Sequence, residues 1–243
     1  MKAIKHNIEH YYQPTSSTCG YAALAILLSH RRSELTPNDV IKSVPQPKDE
    51  EGNPTGSITA QLAVWCLNNG YNLDFYSFDC QILDLSWHGF TEENLIERLE
   101  AVRDSRHVLN LGDKYWSKVY VEAYIQMLKA GGKLYINPHI TSSKLYELLV
   151  NGPVFANVCS ATLSNKGHQT YPKPNERVSV PDDIDGKAGT HSIVIYGNDE
   201  QGNYLVADPW EGLGVIKPET MICSITAAQI ECDNQCFQIT NSA

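Results

Sequence analysis

The chain has 243 residues, is 42% hydrophobic and carries a formal net charge of −9. That length supports one large domain with a well-filled core. The acidic balance argues against nucleic acid or an anionic membrane as a partner, because phosphate binding needs clustered Lys and Arg. No apolar run is as long as a membrane span, and the N-terminal MKAIKHNIEHYYQP lacks the apolar segment of a secretory signal. We therefore expect a cytoplasmic protein, with export by a signal-independent route left open.

The cysteine content favours a reducing compartment. An odd number of cysteines at irregular spacing does not fit a disulfide framework. The motif CDNQC invites a zinc interpretation, but a structural zinc site needs a second such pair or nearby histidines. We therefore predict no metal and no other cofactor. The seven cysteines are Cys19, Cys66, Cys80, Cys159, Cys223, Cys232 and Cys236.

Patterns in the first half of the chain predict mainly helices. Apolar residues occupy 19–31 on nearly every side, so this helix is predicted to be central and buried. Thr36 followed by Pro37 indicates the start of a second helix, and Ser57 is expected to cap a third that ends before Gly70. The remaining predictions here are a strand in YNLDFYSFD and helices at about 91–104 and 117–130.

Strand patterns dominate the second half. Residues 160–189 separate them, have no periodicity and are rich in Pro, Gly, Asn and Asp, which is typical of a functional or disordered loop. Helices followed by mostly antiparallel strands predict a single α+β domain, with a mainly helical lobe at about 1–132 and a mainly β lobe at about 133–243. The predicted strands are KLYIN, PVFANVCSA, THSIVIYGND, GNYLVADPW and CFQIT, and the predicted helices are TSSKLYELLVNG and PETMICSITAAQIE.

A cysteine stands at the first turn of the apolar helix, in YYQPTSSTCGYAALAILL. Backbone N–H groups are unsatisfied there and the local potential is positive, which lowers the pKa of a thiol. The backbone N–H of Cys19 and the side-chain amide of Gln13 could both donate to an oxyanion. Gly20 leaves room for the close approach of a substrate or of neighbouring backbone. The alternative for Cys19 is a packed structural cysteine.

A histidine and an aspartate lie at the ends of two consecutive predicted strands. His191 begins the first strand and Asp208 ends the second, so antiparallel pairing would place them side by side and let the carboxylate orient the imidazole. Taken singly, His191 could be a core histidine and Asp208 part of an Asp-Pro turn. Together with Cys19 they predict a triad for thiolate attack on a carbonyl. His168, a rival base, is expected to be an exposed loop residue.

These motifs resemble a known family. QPTSSTCGYAALAILL together with GTHSIVIYGNDEQGNYLVADPW is similar to the C39-like branch of the papain-like cysteine peptidases. Those proteins combine a Gln upstream of a Cys-Gly pair at a helix start with a later His strand and an Asp-Pro strand end. SSKLYELLVNGPVFANV also resembles the helix and strand that precede the family's histidine. The resemblance implies a papain-like two-lobe fold, in which a helical lobe packs on an antiparallel β-sheet lobe and the active site lies in the cleft.

The resemblance also implies roles for individual residues. Cys19 would be the nucleophile, His191 the general base and acid, Asp208 the orienting carboxylate and Gln13 the oxyanion donor. Gly20, Thr190 and Trp210 are expected to contact the substrate. There are departures from the family: Thr18 stands where many relatives have an acidic residue, and the chain lacks the transporter segments that accompany the leader-peptide-cutting members.

The sequence thus predicts a cysteine peptidase that hydrolyses a peptide or related amide bond of a peptide or protein substrate through an acyl-enzyme. Transfer of the acyl group to an amine and deamidation of glutamine use the same triad and stay open. A non-catalytic peptide-binding domain of the same fold is a further alternative. The oligomeric state is not predicted.

Overall fold

The helices of the computed structural model lie on both faces of one main sheet. They are α1 (Cys19–Ser29), α2 (Pro37–Ser43), α3 (Thr59–Asn68), α4 (Glu92–Arg103), α5 (Lys114–Lys129), α6 (Ser142–Asn151), α7 (Ser160–Ser164) and α8 (Pro218–Ala227), with short 3₁₀ turns at Leu85–Trp87 and Ala228–Glu231. The structure describes residues 2–52, 54–77, 79–105, 114–136, 140–172, 176–231 and 234–240. Within those ranges no helix combines the length and the apolar composition that a membrane span requires.

The main sheet has the strand order β3-β2-β10-β4-β7-β8-β9, and β1 pairs with the far end of β7. Strands β5 and β6 form a separate ribbon. In the described part of the chain, β2 and β3 run parallel and the other neighbouring strands run antiparallel. The strands are β1 (Ile4–Lys5), β2 (Asn72–Ser77), β3 (Lys133–Ile136), β4 (Val154–Cys159), β5 (Gln169–Thr170), β6 (Val180–Pro181), β7 (Thr190–Asn198), β8 (Tyr204–Asp208), β9 (Gly212–Ile216) and β10 (Gln235–Thr240).

Helix α1 is the centre of the larger core. Every residue from Gly20 to Leu28 is buried, because the helix packs against β7, β4 and β8 on one side and against α2 and α3 on others. A helix with one side in water would need a polar face there, whereas this helix is surrounded and is apolar on nearly every side. The prediction of a central buried helix is confirmed.

The opposite face of the sheet carries a second, smaller core. Leu145 and Leu149 of α6 and Met221 and Ile225 of α8 pack there with Ile193 and other sheet residues. The sheet therefore lies between two helical layers. The expected α+β, papain-like arrangement is confirmed, but the expectation of an antiparallel sheet needs correction, since β2, which comes from the predicted helical part of the chain, lies inside the sheet and pairs in parallel with β3.

Most predicted elements are present, with differences at their ends. The Thr36 hydroxyl accepts the Asp39 N–H at the start of α2, as the Thr-Pro pattern predicted. The predicted cap at Ser57 is wrong: α3 begins at Thr59, and Ile58 in the capping position makes no side-chain hydrogen bond. The aperiodic stretch 160–189 contains α7, β5 and β6.

Candidate active site

The turn before α1 determines where Cys19 lies. The Thr18 hydroxyl accepts the Thr15 N–H at 2.9 Å and donates to the Thr15 carbonyl at 3.1 Å, so it closes a tight turn directly ahead of the helix. Thr18 is buried, and at this position an acidic side chain would bring a charge out of water. The backbone N–H of Gln13 donates to the Pro209 carbonyl at 3.0 Å. The segment before Cys19 is thereby tied to the segment after Asp208.

The ends of β7 and β8 bring His191 and Asp208 together. Val194 pairs with Ala207 in the antiparallel register, so the start of β7, where His191 lies, is next to the end of β8, where Asp208 lies. His191 Nε2 donates to Asp208 Oδ1 at 2.7 Å. The same oxygen accepts the backbone N–H groups of the two residues that follow the Asp-Pro turn, at 2.7 and 3.1 Å. The carboxylate is therefore fixed by three donors and is buried.

Cys19 completes the group. Its thiol interacts with His191, and the two residues line the same cavities. Because His191 Nε2 is already bonded to Asp208, Nδ1 is the ring nitrogen left to act on the sulfur. Cys19 Sγ also lies 3.9 Å from the hydroxyl oxygen of Ser192. The structure thus assembles three of the residues that the sequence analysis selected, from α1, β7 and β8.

The electrostatics of this group favour an ion pair. Burial raises the pKa of the Cys19 thiol, but the hydrogen bond and charge of His191 outweigh burial and lower it overall. Burial lowers the pKa of His191, yet Asp208 and Cys19 raise it to about 10. The pKa of Asp208 is lowered, because His191 and the two backbone N–H donors outweigh its burial. In the pH range between the two pKa values, sulfur is thiolate and imidazole is imidazolium.

Gln13 is buried, and it lines a cavity whose wall also includes Cys19. Its Nε2 donates to the Thr15 carbonyl at 2.7 Å, which occupies one of its two amide hydrogens. The other hydrogen is the one that could reach an oxyanion. The Gln13 side chain is 2% exposed, so its position is fixed by its surroundings.

Cys19 lines two cavities of the cleft, one of about 110 Å³ and another of about 480 Å³. Gln169 and Tyr171 border both cavities, so residues 165–172 and 176–189, here named the cleft strap, lie along the cleft. Both cavities are lined by Ser16, Cys19, Gln169, Tyr171, Thr190 and His191.

Of the predicted substrate contacts, the structure places Thr190 in both cavities and Trp210 in the smaller one. Gly20 lines neither of these cavities. A Cβ on Gly20 would lie 1.9 Å from Ser57 Oγ, so the space beside this glycine is filled by the loop before α3. In the described structure a neighbouring segment makes the close approach to Gly20, and a contact of Gly20 with substrate stays a prediction.

The cleft strap is fastened to the residues that follow Asp208. The Arg177 guanidinium lies over the Tyr12 ring at 4.3 Å and the Trp210 ring at 5.5 Å, and it donates to the Trp210 carbonyl. Lys166 pairs with Glu211 at 2.5 Å. Sequence reasoning found none of these partners, because the pairs join residues far apart in a segment without periodicity.

The remaining candidates lie elsewhere. His168 is exposed and lines neither cleft cavity, so it is not placed as a base. Cys232 of CDNQC lies outside the described residues. Within the described ranges, no group of three or more His, Cys, Asp or Glu is arranged to hold a metal ion.

Comparison with known proteins gives a likeness over the full chain. No protein-family model and no curated protein matches. A structure described as a C39-like peptidase from Bacillus anthracis has a TM-score of 0.49 and 9% identity over 100% of both chains. A double glycine motif protease from an AMS/PCAT transporter, in complex with the leader peptide, has a TM-score of 0.46 and 12% identity over 100% of this chain and 99% of that chain. The first bears the family name that the sequence motifs predicted. At these values the likeness carries no argument about chemistry.

Proposed function

We propose that the protein is a cysteine peptidase that hydrolyses a peptide or related amide bond. The observation that carries the proposal is the group Cys19, His191 and Asp208, in which Asp208 holds His191 and His191 lowers the pKa of a cysteine at a helix N-terminus inside a cleft. A structural cysteine has no need of an imidazole whose other nitrogen is held by a carboxylate. A nucleophile that must be ionised near neutral pH needs that arrangement.

The reaction begins with the ion pair. The Cys19 thiolate attacks the carbonyl carbon, a C–S bond forms, and the carbonyl electron pair becomes an oxyanion. The backbone N–H of Cys19 and the second amide hydrogen of Gln13 would stabilise that charge. His191 then gives its Nδ1 proton to the leaving amine as the C–N bond breaks, and the acyl group stays on sulfur.

Deacylation repeats the sequence with water. Neutral His191 takes a proton from water at Nδ1, the oxygen attacks the thioester, and the C–S bond breaks. The acid leaves, and the thiolate–imidazolium pair is restored. Asp208 keeps the Nε2 side of the ring occupied throughout, so Nδ1 alone exchanges protons with the reacting groups.

The shape of the cleft supports a peptide as substrate. Cys19 borders two cavities, so there is room beside the sulfur for more of a substrate than the bond under attack. The lining of the cleft includes hydroxyl and amide side chains, among them Ser16, Gln169 and Thr190, which suit the N–H and C=O groups of an extended backbone.

The proposal is tested by the alkylation rate of each cysteine from pH 4 to 9, resolved by peptide mass. We expect Cys19 to react fastest and to remain reactive below pH 7, where an unperturbed thiol with a pKa of about 8.5 is mostly protonated. His191→Ala should abolish this low-pH reactivity and reduce amide hydrolysis about 10²–10⁴-fold. Cys223→Ser, which changes an exposed cysteine on α8, is the matched control and should behave like the wild type.

A peptide library analysed by mass then identifies the bond that is cut, with Cys19→Ser as the inactive reference. A Cys19 that alkylates like an ordinary thiol would contradict the proposal and favour a binding domain. Products that carry an added amine, or glutamine converted to glutamate with the chain intact, would replace hydrolysis by acyl transfer or deamidation.

A further inference from the structure

Three buried polar side chains form a hydrogen-bonded series that ends at Cys19. Ser192 Oγ, on β7, lies 3.9 Å from Cys19 Sγ and 2.8 Å from Asn157 Oδ1 on β4. Asn157 Nδ2 lies 2.6 Å from the hydroxyl oxygen of Thr59, the first residue of α3. The series therefore runs from the thiol through the sheet to the start of a helix. None of its three members takes part in the mechanism above.

The depth of these groups calls for an explanation. Asn157 is 0% exposed, Thr59 1% and Ser192 5%. Their surroundings are the apolar contact between α1, α3 and the sheet, where burying a polar group is costly unless it is hydrogen-bonded. Ser192 and Asn157 are also direct cross-strand partners, so apolar side chains at both positions could maintain the pairing.

We propose that the Ser192 hydroxyl stabilises the thiolate form of Cys19, and that Asn157 and Thr59 position this hydroxyl. The proposal rests on the peptidase function, because it concerns the charge on the nucleophile. It adds a group that touches the sulfur in addition to His191.

The series can serve both states of the sulfur. With a neutral thiol, the S–H donates to Ser192, Ser192 donates to the Asn157 carbonyl oxygen, and the Asn157 amide donates to Thr59, as the distances above describe. With a thiolate, the direction of the hydrogen bonds reverses, after the side-chain amide of Asn157 rotates so that its oxygen and nitrogen exchange places. Thr59 then donates to Asn157, Asn157 to Ser192, and Ser192 to the sulfur anion.

Both directions keep every group paired. Hydroxyls and a primary amide each donate and accept, so no buried group loses its partner when the direction reverses. No proton is gained or lost within the series, since the thiol proton goes to His191. The backbone N–H of Ser192 also hydrogen-bonds to Cys19 and acts in the same direction, lowering the thiol pKa.

The test compares alkylation of Cys19 from pH 4 to 9 in the wild type and Ser192→Ala. Hydrogen bonds to charged groups are stronger than those between neutral groups, so we expect Cys19 in Ser192→Ala to react about tenfold more slowly than in the wild type at pH 5–6, or more slowly still. The rates should converge near pH 9, where both thiols ionise. Ser192→Thr keeps a hydroxyl and should recover most of the low-pH rate.

Asn157→Asp separates positioning from simple packing. Burial raises the pKa of this carboxyl, and above that pKa the carboxylate can accept from Ser192 but cannot donate to it, so it holds the hydroxyl hydrogen away from the sulfur. We expect slower alkylation of Cys19 than in the wild type wherever this carboxyl is ionised. Ser224→Ala is the control, because Ser224 is also buried. Its hydroxyl donates to the Thr220 carbonyl in α8 at 2.7 Å, within its own helix. It should leave the pH profile unchanged.

Thermal unfolding of each variant shows whether it folds, and Ser192→Thr and Asn157→Asp keep the test usable if Ser192→Ala does not. If Cys19 of the wild type is reactive at low pH and Ser192→Ala gives the same pH profile of alkylation, this inference is overturned and the peptidase proposal stays intact. A wild-type Cys19 with the profile of an ordinary thiol overturns both.

Discussion

At the scale of single residues, Gly20 shows how closely the segment around the nucleophile is packed. A Cβ at this position would lie 1.9 Å from Ser57 Oγ and 3.2 Å from Leu62 Cδ1. Such an approach forces neighbouring groups to move, and overpacking of this kind typically costs about 1–3 kcal/mol. Glycine therefore follows the cysteine because of the loop that precedes α3.

We expect Gly20→Ala to lower the free energy of unfolding by about 1–3 kcal/mol, measured by urea denaturation. Adding Ser57→Gly should restore part of that loss, because it removes the atoms nearest to the new methyl group. Gly56→Ala is the matched control, since a Cβ there meets nothing within 4 Å. Equal stability of the two single alanine variants would show that the contact with Ser57 is not limiting.

The residues of the proposed triad could be found from the sequence, whereas their support could not. Cys19, His191 and Asp208 each stand at the end of a strongly patterned element, so their proximity follows from helix and strand geometry. Ser192 looks like an ordinary strand serine, and its significance depends on Asn157, which lies on another strand. Contacts between distant residues leave no local pattern.

At the scale of elements, the cleft strap lines both cavities beside Cys19. Arg177 joins it to Tyr12 and Trp210 by two ring contacts and a hydrogen bond. We expect Arg177→Ala to increase the alkylation rate of Cys19 by a bulky maleimide about two- to fivefold, since an exposed cation–π contact contributes about 0.5–1 kcal/mol. The rate with iodoacetamide, which is small, should change less.

Arg98→Ala provides the charge-matched control for the cleft strap, because Arg98 is exposed on α4. It should leave the ratio of the two alkylation rates unchanged. If the ratio of the maleimide rate to the iodoacetamide rate is the same in Arg177→Ala and in the wild type, the contacts of Arg177 do not restrict access to Cys19.

Strands at the margins of the fold were the elements that sequence patterns missed. β9 has two glycines in GLGVI and begins at Gly212 with φ of 108°, a backbone conformation that other residues rarely adopt. Its apolar residues Leu213 and Val215 are exposed, whereas the apolar residues of a half-buried strand face the core. An edge strand of this kind is stabilised by its partner β8 more than by burial of its own side chains.

At the scale of the whole molecule, Asp79 makes stability depend on pH. It is 1% exposed, and burial raises the pKa of its carboxyl even though the N–H groups of Gln81 and Ile82 and the Gln229 amide donate to it. The folded state therefore binds this proton more tightly than the unfolded state does. Stability is lost as pH rises from the unfolded pKa through the folded pKa.

We expect Asp79→Asn to raise Tm at pH 8 by about 2–4 °C, the shift that about 1 kcal/mol gives in a chain of this size. The asparagine oxygen can still accept from Gln81 and Ile82, but it carries no charge to bury. The advantage should shrink towards pH 4, where the wild-type carboxyl is neutral. Asp183→Asn removes the same charge from an exposed position and should show no such trend; an equal trend in both would contradict this explanation.

The order of strands was beyond prediction from sequence patterns. Periodicity identified the segments that become β2, β4, β7, β8 and β10, because each is locally apolar. It contains no information about which segments become neighbours, since that depends on side chains from distant parts of the chain meeting across strands. The α+β composition was therefore predictable, and the insertion of β2 among second-half strands was not.

The order of strands in the main sheet also determines when the sheet can form during biosynthesis. β10 joins β2 to β4, and it comes later in the chain than the other strands of the described structure. A ribosome must therefore release residues 235–240 before the two sides of the sheet can bond to each other. Closure of the sheet is a late event that brings together distant segments, which makes it slower than the formation of the helices around it. A nascent chain can hold its helices early, but its sheet remains in two parts until residues 235–240 have left the ribosome.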